Sequence, residues 1–239
     1  MIDPDRAHTR SCFARFLLVL LTLALGISLG LAVFSLPLNL VGLADRVQAT
    51  VPHSGVTNPV TAVLLNFRAY DTLLEIGVLL LAVVGLHSLQ TVHGRQAFSI
   101  PEPGPILHAL VRLLVPLMVL VSGYFLWAGA HSPGGAFQGG AVLGAAAVLL
   151  LLSGFRLETW FYGWPFRGIL VLGFTLFLVV GVGSMAVEGR FLEYPRAWAG
   201  GLILFVEAGL TLSIGCILAA LFAGISVAPN GVNRTMENP

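Results

Sequence analysis

The sequence predicts an all-α protein of about six transmembrane helices, with almost no soluble domain. Three observations predict it. Hydrophobic residues make up 57% of the 239 and charged residues only 10%, against about 25% charged in a typical soluble domain. Mean hydropathy is +0.93, which leaves too little polar surface to wrap a water-soluble core of this size. Long apolar runs recur along the chain, each near the roughly 20 residues a helix needs to cross a hydrocarbon layer about 30 Å thick. In lipid the backbone must bond to itself, so such runs read as helices.

The first run covers residues 16–36 and ends at Pro37. Arg10 and Arg15 precede it, and Val47-Gln48-Ala49 loosely resembles a signal-peptide cleavage site. The run is too long for a signal-peptide core, so a retained helix is expected. A loop follows over 37–60, with Pro37, Pro52, Gly55 and Pro59. The second helix is expected over 61–88, polar at its start and apolar at its end. Residues 89–105 form a second loop, rich in Pro and Gly. The third helix is expected over 106–130. His131 to Gly140, reading HSPGGAFQGG, is a tight Gly/Pro turn. A short fourth helix over 139–154 is rich in Ala and Gly, the fifth covers 166–187, and the sixth covers 198–227 before a polar tail.

Arginine placement predicts the orientation. Six helices put both termini on one side, with Arg6, Arg10, Arg15, Arg95, Arg112, Arg156, Arg167 and Arg234. The other side holds Arg46, Arg68, Arg190 and Arg196. Eight against four places both termini in the cytoplasm of a multi-pass protein of the cell (inner or plasma) membrane. Trp127, Trp160, Trp164 and Trp198 fall near expected helix ends, where an aromatic belt would sit.

Composition excludes several function classes. A net charge of +1 gives no reason to expect nucleic acid as a partner. Cys12 and Cys216 form no CxxC and no metal-type spacing, so they read as free thiols. The six histidines include no HExxH and no Cys/His cluster. His87 and His108 make at most one loose pair for a haem, so no cofactor or metal is expected. No P-loop and no nucleophile–base constellation points to an enzyme acting alone.

Charged residues inside the apolar segments are the candidate functional groups. A charge at the bilayer centre costs about 2.5–3.5 kcal/mol on insertion scales, and such residues usually face a partner or a water-filled path. In the second helix, Arg68, Asp71 and Glu75 fall three and four residues apart, on one helical stripe beside Thr72. Arg68 can pair with Asp71, and Glu75 lies a turn deeper as a like charge. A carboxylate placed there is suited to gain and lose a proton. An ion pair that docks this helix against a neighbouring subunit is the alternative reading, and both stay open. Glu207 in the sixth helix has no basic residue nearby in sequence. Gly200, Gly201, Gly209 and Thr211 around it would let another helix approach closely. It is expected to be protonated or to pair with another helix or subunit. In HSPGGAFQGG, backbone carbonyls freed by the turn could line a cavity; a tight turn without chemistry is the alternative. His131 reads as an interface histidine.

Two segments resemble one kind of system. Asn66-Phe67-Arg68-Ala69-Tyr70-Asp71-Thr72-Leu73-Leu74-Glu75 resembles MbhE, a small membrane-arm subunit of membrane-bound hydrogenases, whose equivalent is fused to the large MrpA protein in Mrp antiporters. His131-Ser132-Pro133-Gly134-Gly135-Ala136-Phe137-Gln138-Gly139-Gly140 resembles the MnhB/MrpB component of the Mrp (Mnh) antiporters, equivalent to MbhF. Ala136 stands where that family commonly has Gly. The resemblance implies two parts, an MbhE-like segment over 1–100 with two helices and an MnhB/MrpB-like domain over 101–239 with four. It implies a subunit of a hetero-oligomeric complex that exchanges Na⁺ for H⁺, or that couples an electron-transfer arm to ion pumping. It implies no redox cofactor in this subunit. It also adds weight to Asp71, Glu75 and Glu207 as ion- or proton-path residues, with Arg68 tuning Asp71.

Overall fold

The computed structural model describes residues 4–35, 42–93, 104–155 and 163–225. Arg95, Arg156, Trp160 and Arg234 lie outside the described residues, as do the side chains of Arg6, Arg10 and Cys12. The chain divides into two compact units, Met1–Asp45 and Arg46–Pro239.

The first unit holds helix α1, Pro4–Phe34, whose span Arg15–Phe34 is apolar enough to cross a membrane. Within it, Thr22 and Ser28 return their hydroxyls to backbone carbonyls of the preceding turn, which hides their polarity from lipid. Helix α2, Ala44–Thr50, leads into the second unit. A 3-10 turn follows at Val51–His53.

The second unit continues with α3 (Pro59–Ala62), a π-helical turn (Val63–Phe67) and α4 (Ala69–His93). Then come α5 (Pro105–Ala128), α6 (Ala136–Leu152), α7 (Trp164–Glu188) and α8 (Ala199–Ile225). Among the described residues, five helices are long and apolar enough to span a membrane: α1, α4, α5, α7 and α8. The remaining expected span, the fourth, is α6; it is apolar but has 17 residues. At 1.5 Å per residue that is about 26 Å, a little short of the hydrocarbon thickness. No strand occurs among the described residues. The chain is an all-α, multi-pass membrane protein.

Helix α8 is the centre of the second unit. Of its most apolar stretch 61% is buried, against 28% for α4 and α7 and 11% for α5. It packs most extensively on α6, then on α7, and more thinly on α4. On α7 the buried residues are Phe166, Leu170, Gly173, Phe177, Gly181 and Ser184. They recur every three or four residues, so they form one stripe along the helix. Small residues set the closeness of these contacts. A Cβ at Gly140 of α6 would stand 2.7 Å from Ile214 Cβ. One at Gly173 would stand 2.9 Å from the Leu210 backbone. Between membrane helices, where lipid is as apolar as the side chains, such close backbone packing is a main source of association. The core then closes with Ile76, Phe177, Ile203, Val206 and Leu210, all nearly inaccessible.

Two local expectations are corrected. The second helix is not continuous over 61–88. It begins earlier, at Pro59, because Asn58 caps it by accepting from Val60 N–H at 3.0 Å. It then breaks at Arg68, whose φ of −129° and ψ of 37° leave the helical region. Arg68 N–H reaches back five residues to Val63 O at 2.8 Å, which makes the π turn. Thr72 Oγ1 donates to Leu64 O at 2.6 Å and so satisfies a carbonyl the break sets free. The fourth helix starts at Ala136, so the second half of HSPGGAFQGG is its first turn and not part of the loop. Gly135, at φ +105°, holds the turn before it in a conformation that L side chains rarely adopt.

The described tryptophans fit their expected places. Trp127, Trp164 and Trp198 are exposed at the end of α5, the start of α7 and just before α8.

Candidate functional site

The site forms where the loop between α5 and α6 meets α8 on one side and the segment before α3 on the other. The loop turns tightly because Phe125 O accepts from both Gly129 N–H (3.1 Å) and Gly135 N–H (2.8 Å). Gly134 lies under the same carbonyl, and a Cβ there would come within 2.6 Å of it. Ser132 N–H returns to Ala128 O at 2.7 Å, and Pro133 is exposed.

Three of the loop's carbonyls, which the sequence left either to line a cavity or to belong to a tight turn, are taken up by hydrogen bonds. Ala130 O accepts from the N–H groups of Thr57 and Asn58, both at 3.0 Å. Gly129 O accepts from Asn58 Nδ2 (3.2 Å) and Thr61 Oγ1 (2.5 Å), and Ser132 O accepts from Asn58 Nδ2 at 2.7 Å. Asn58 is therefore a hub: 7% exposed, it caps α3 and ties the loop down at once. Sequence reasoning missed Thr57, Asn58 and Thr61. The signal was present, since Asn before Pro at the start of an apolar run is an N-cap pattern. His131 is exposed, contacts Thr57 Oγ1 through Nδ1 at 3.0 Å and lies edge-on to Trp127.

The first turn of α6 carries the rest of the motif. Phe137 packs partly buried against the core, and Gln138 is exposed. Gly139 O accepts from Ser122 Oγ of α5 at 2.7 Å. Gly139 and Gly140 are buried where α6 crosses α8.

Glu207 projects from α8 to this turn and is 3% exposed. Its Oε1 accepts from Ala136 N–H at 3.3 Å, while Oε2 is buried without a hydrogen-bond partner. Thr211 Oγ1 donates to the Glu207 carbonyl at 2.8 Å, one turn along α8. The partner expected for Glu207 from another helix is thus a backbone N–H at the start of α6, where the helix dipole favours negative charge.

The Arg68, Asp71 and Glu75 group lies elsewhere. Arg68 Nη2 and Asp71 Oδ2 pair at 2.6 Å, with side chains 69% and 46% exposed. Glu75 is exposed too, beside exposed Tyr70, Leu74 and Val78. The buried side of α4 is instead Ala69, Thr72, Leu73 and Ile76. Glu75, one turn beyond Asp71 along the helix, faces away from the buried side of α4. No group of three or more His, Cys, Asp or Glu that could hold a metal ion occurs among the described residues.

Comparison with known proteins places this geometry. Residues 106–228, from α5 through the end of α8, match the model of the domain related to the MnhB subunit of Na⁺/H⁺ antiporters. The chain belongs to the MnhB-related family. That domain contains both the HSPGGAFQGG turn and Glu207. Within the family's reach, an uncharacterised protein of Methanocaldococcus jannaschii is 31% identical over 164 residues, 61% of this chain and 63% of that one. The B-type subunit of the Na⁺/H⁺ antiporter of Bacillus subtilis is 36% identical over 91 residues, 37% of this chain and 63% of that protein. The MnhB-related chain thus spans less than two thirds of each of these relatives. Among solved structures, a chain of the membrane-bound sulfane sulfur reductase, an archaeal respiratory membrane complex, matches with a TM-score of 0.68. It is 25% identical and covers 91% of this chain and 100% of that one.

Proposed function

We propose that this chain is a membrane subunit of a multisubunit cation/proton antiporter complex, with Na⁺ and H⁺ as the ions moved. It works beside the other subunits of that complex in the cell membrane, with both termini cytoplasmic, as a transporter subunit and not an enzyme. Membership of the MnhB-related family over residues 106–228 carries this reading. The likeness to the Na⁺/H⁺ antiporter protein of Bacillus subtilis supports it. Residues 1–100 are read as an MbhE-like segment joined to an MnhB-like domain over 101–239.

The charged residues support a place on or beside the ion path. Arg68, Asp71 and Glu75 are exposed along or just before a helix apolar enough to span the membrane. Lipid does not tolerate such groups, so a partner subunit or a water-filled path covers them. Glu207 is the second candidate, inside this chain's own bundle. The test is Glu75→Gln in the full complex, assayed for Na⁺-dependent proton exchange in vesicles beside blue-native gels. Exchange should be lost while assembly persists. Lower yield with unchanged activity per assembled complex would instead make the chain a purely structural subunit.

A second reading is the membrane arm of a hydrogenase-like respiratory complex. The likeness to the sulfane sulfur reductase chain, over its whole length, favours it. Neighbouring genes separate the two: antiporter subunits without hydrogenase-type genes support the first, redox subunits the second.

A further inference from the structure

The two oxygens of the Glu207 carboxylate have unequal surroundings. Glu207 is 3% exposed; Oε1 accepts from Ala136 N–H at 3.3 Å, and Oε2 is enclosed without a partner. The seat of Oε1 exists because residue 135 is glycine. A Cβ there would stand 2.7 Å from Oε1, and the φ of +105° suits glycine in any case. The carboxylate therefore meets the first N–H of α6, a helix of 17 residues. Unpaired N–H groups and the macrodipole leave partial positive charge at that end. Such an end holds an anion and repels a bare metal cation. Cation sites inside membranes are built instead from unwound carbonyls and helix C-terminal ends.

Among the described residues, no titratable side chain is paired with Glu207. Helix α6 carries none. On α4, Asp71 pairs with Arg68, and Glu75 is exposed. On α5, His108, Arg112 and Tyr124 are exposed, as are Arg167 and Glu188 at the two ends of α7. His131 of the loop is exposed and contacts Thr57, and Cys216 lies further along α8 itself.

The geometry points to Glu207 Oε2 as a proton-binding site seated on Gly135 and Ala136. When ionised, the carboxylate is held by the Ala136 N–H and the helix end. When protonated, Oε2 carries the hydrogen and the charge leaves the membrane interior. This assignment rests on the proposed place of the chain in an ion-moving complex, and it names the ion handled at this position as a proton.

Infrared difference spectroscopy of the purified full chain, between low and high pH in H₂O and D₂O, tests it. The expected result is a deuterium-sensitive carboxylic C=O band that Glu207→Gln removes and Glu75→Gln leaves. Glu207→Asp should keep a band, which guards against misfolding of the Gln variant. Replacing choline with sodium at constant pH should leave the band unchanged. Identical spectra for wild type and Glu207→Gln would overturn the proposal, as would loss of the band on adding sodium. Exchange by the complete complex is read separately. A titrating Glu207 band with normal exchange in Glu207→Gln supports the proton site and removes it from the transport path. Lost exchange in that variant, with no such band in wild type, overturns the site and leaves the subunit role standing.

Discussion

Replacing Asn58 with Ala tests whether the loop is held by one hub. The side chain makes three bonds: Nδ2 to Gly129 O at 3.2 Å and Ser132 O at 2.7 Å, and Oδ1 from Val60 N–H at 3.0 Å. Loss of the N-cap costs about 1 kcal/mol. Ser132 is exposed, so water replaces part of its lost bond and the cost stays near the low end, about 1 kcal/mol. Gly129 O keeps its bond from Thr61 Oγ1, so it adds little. The sum is about 2 kcal/mol, or roughly 30-fold in the folding equilibrium. Thr61→Val alone should cost about 1 kcal/mol, because Asn58 still serves Gly129 O. The double variant strips that buried carbonyl of both donors. A double-mutant cycle should then show a coupling of about 1 kcal/mol beyond additivity. Reversible unfolding of the purified chain in mixed detergent, followed by circular dichroism, measures all three. A cost below about 0.5 kcal/mol for Asn58→Ala, or strict additivity, would refute the hub.

Two further outcomes follow from packing and burial. Gly140→Val places a branched side chain where even a Cβ would lie 2.7 Å from Ile214 Cβ; it should destabilise the bundle by about 1–3 kcal/mol in the same assay. Tyr194 is 5% exposed, and its hydroxyl has no hydrogen-bond partner. Burial pushes its phenol up from the usual range. Above its ordinary value of about 10 the unfolded chain releases this proton first, so stability falls as pH rises through that window. Tyr194→Phe should flatten the alkaline loss in pH-dependent unfolding and cost little at neutral pH, since it removes an unsatisfied polar atom.

The helix spans were legible because each depends on local hydropathy alone. The expected ends of the third and fifth helices, 130 and 187, lie within two residues of the observed ends at Ala128 and Glu188. The break at Arg68 was not legible. An apolar run with Thr, Asn and Arg near its start looks continuous, and only Thr72 reaching back to Leu64 O shows that the chain can open there. The charged residues were legible as exceptions in an apolar chain. Their surroundings were not, because Glu207 meets a backbone N–H far away in sequence, at Ala136.

Hydropathy and segment length alone mark this chain as an all-helical membrane protein, because they decide what lipid accepts. Its HSPGGAFQGG turn and its few charges also marked where function was to be sought. Which charges belong to this chain's own core depends on how the helices pack. That packing buries Glu207 against the glycine turn and leaves Arg68, Asp71 and Glu75 on an outer face. Helix rotation and crossing are set by small-residue contacts such as Gly140 on Ile214 and Gly173 on Leu210, which pair residues distant in sequence.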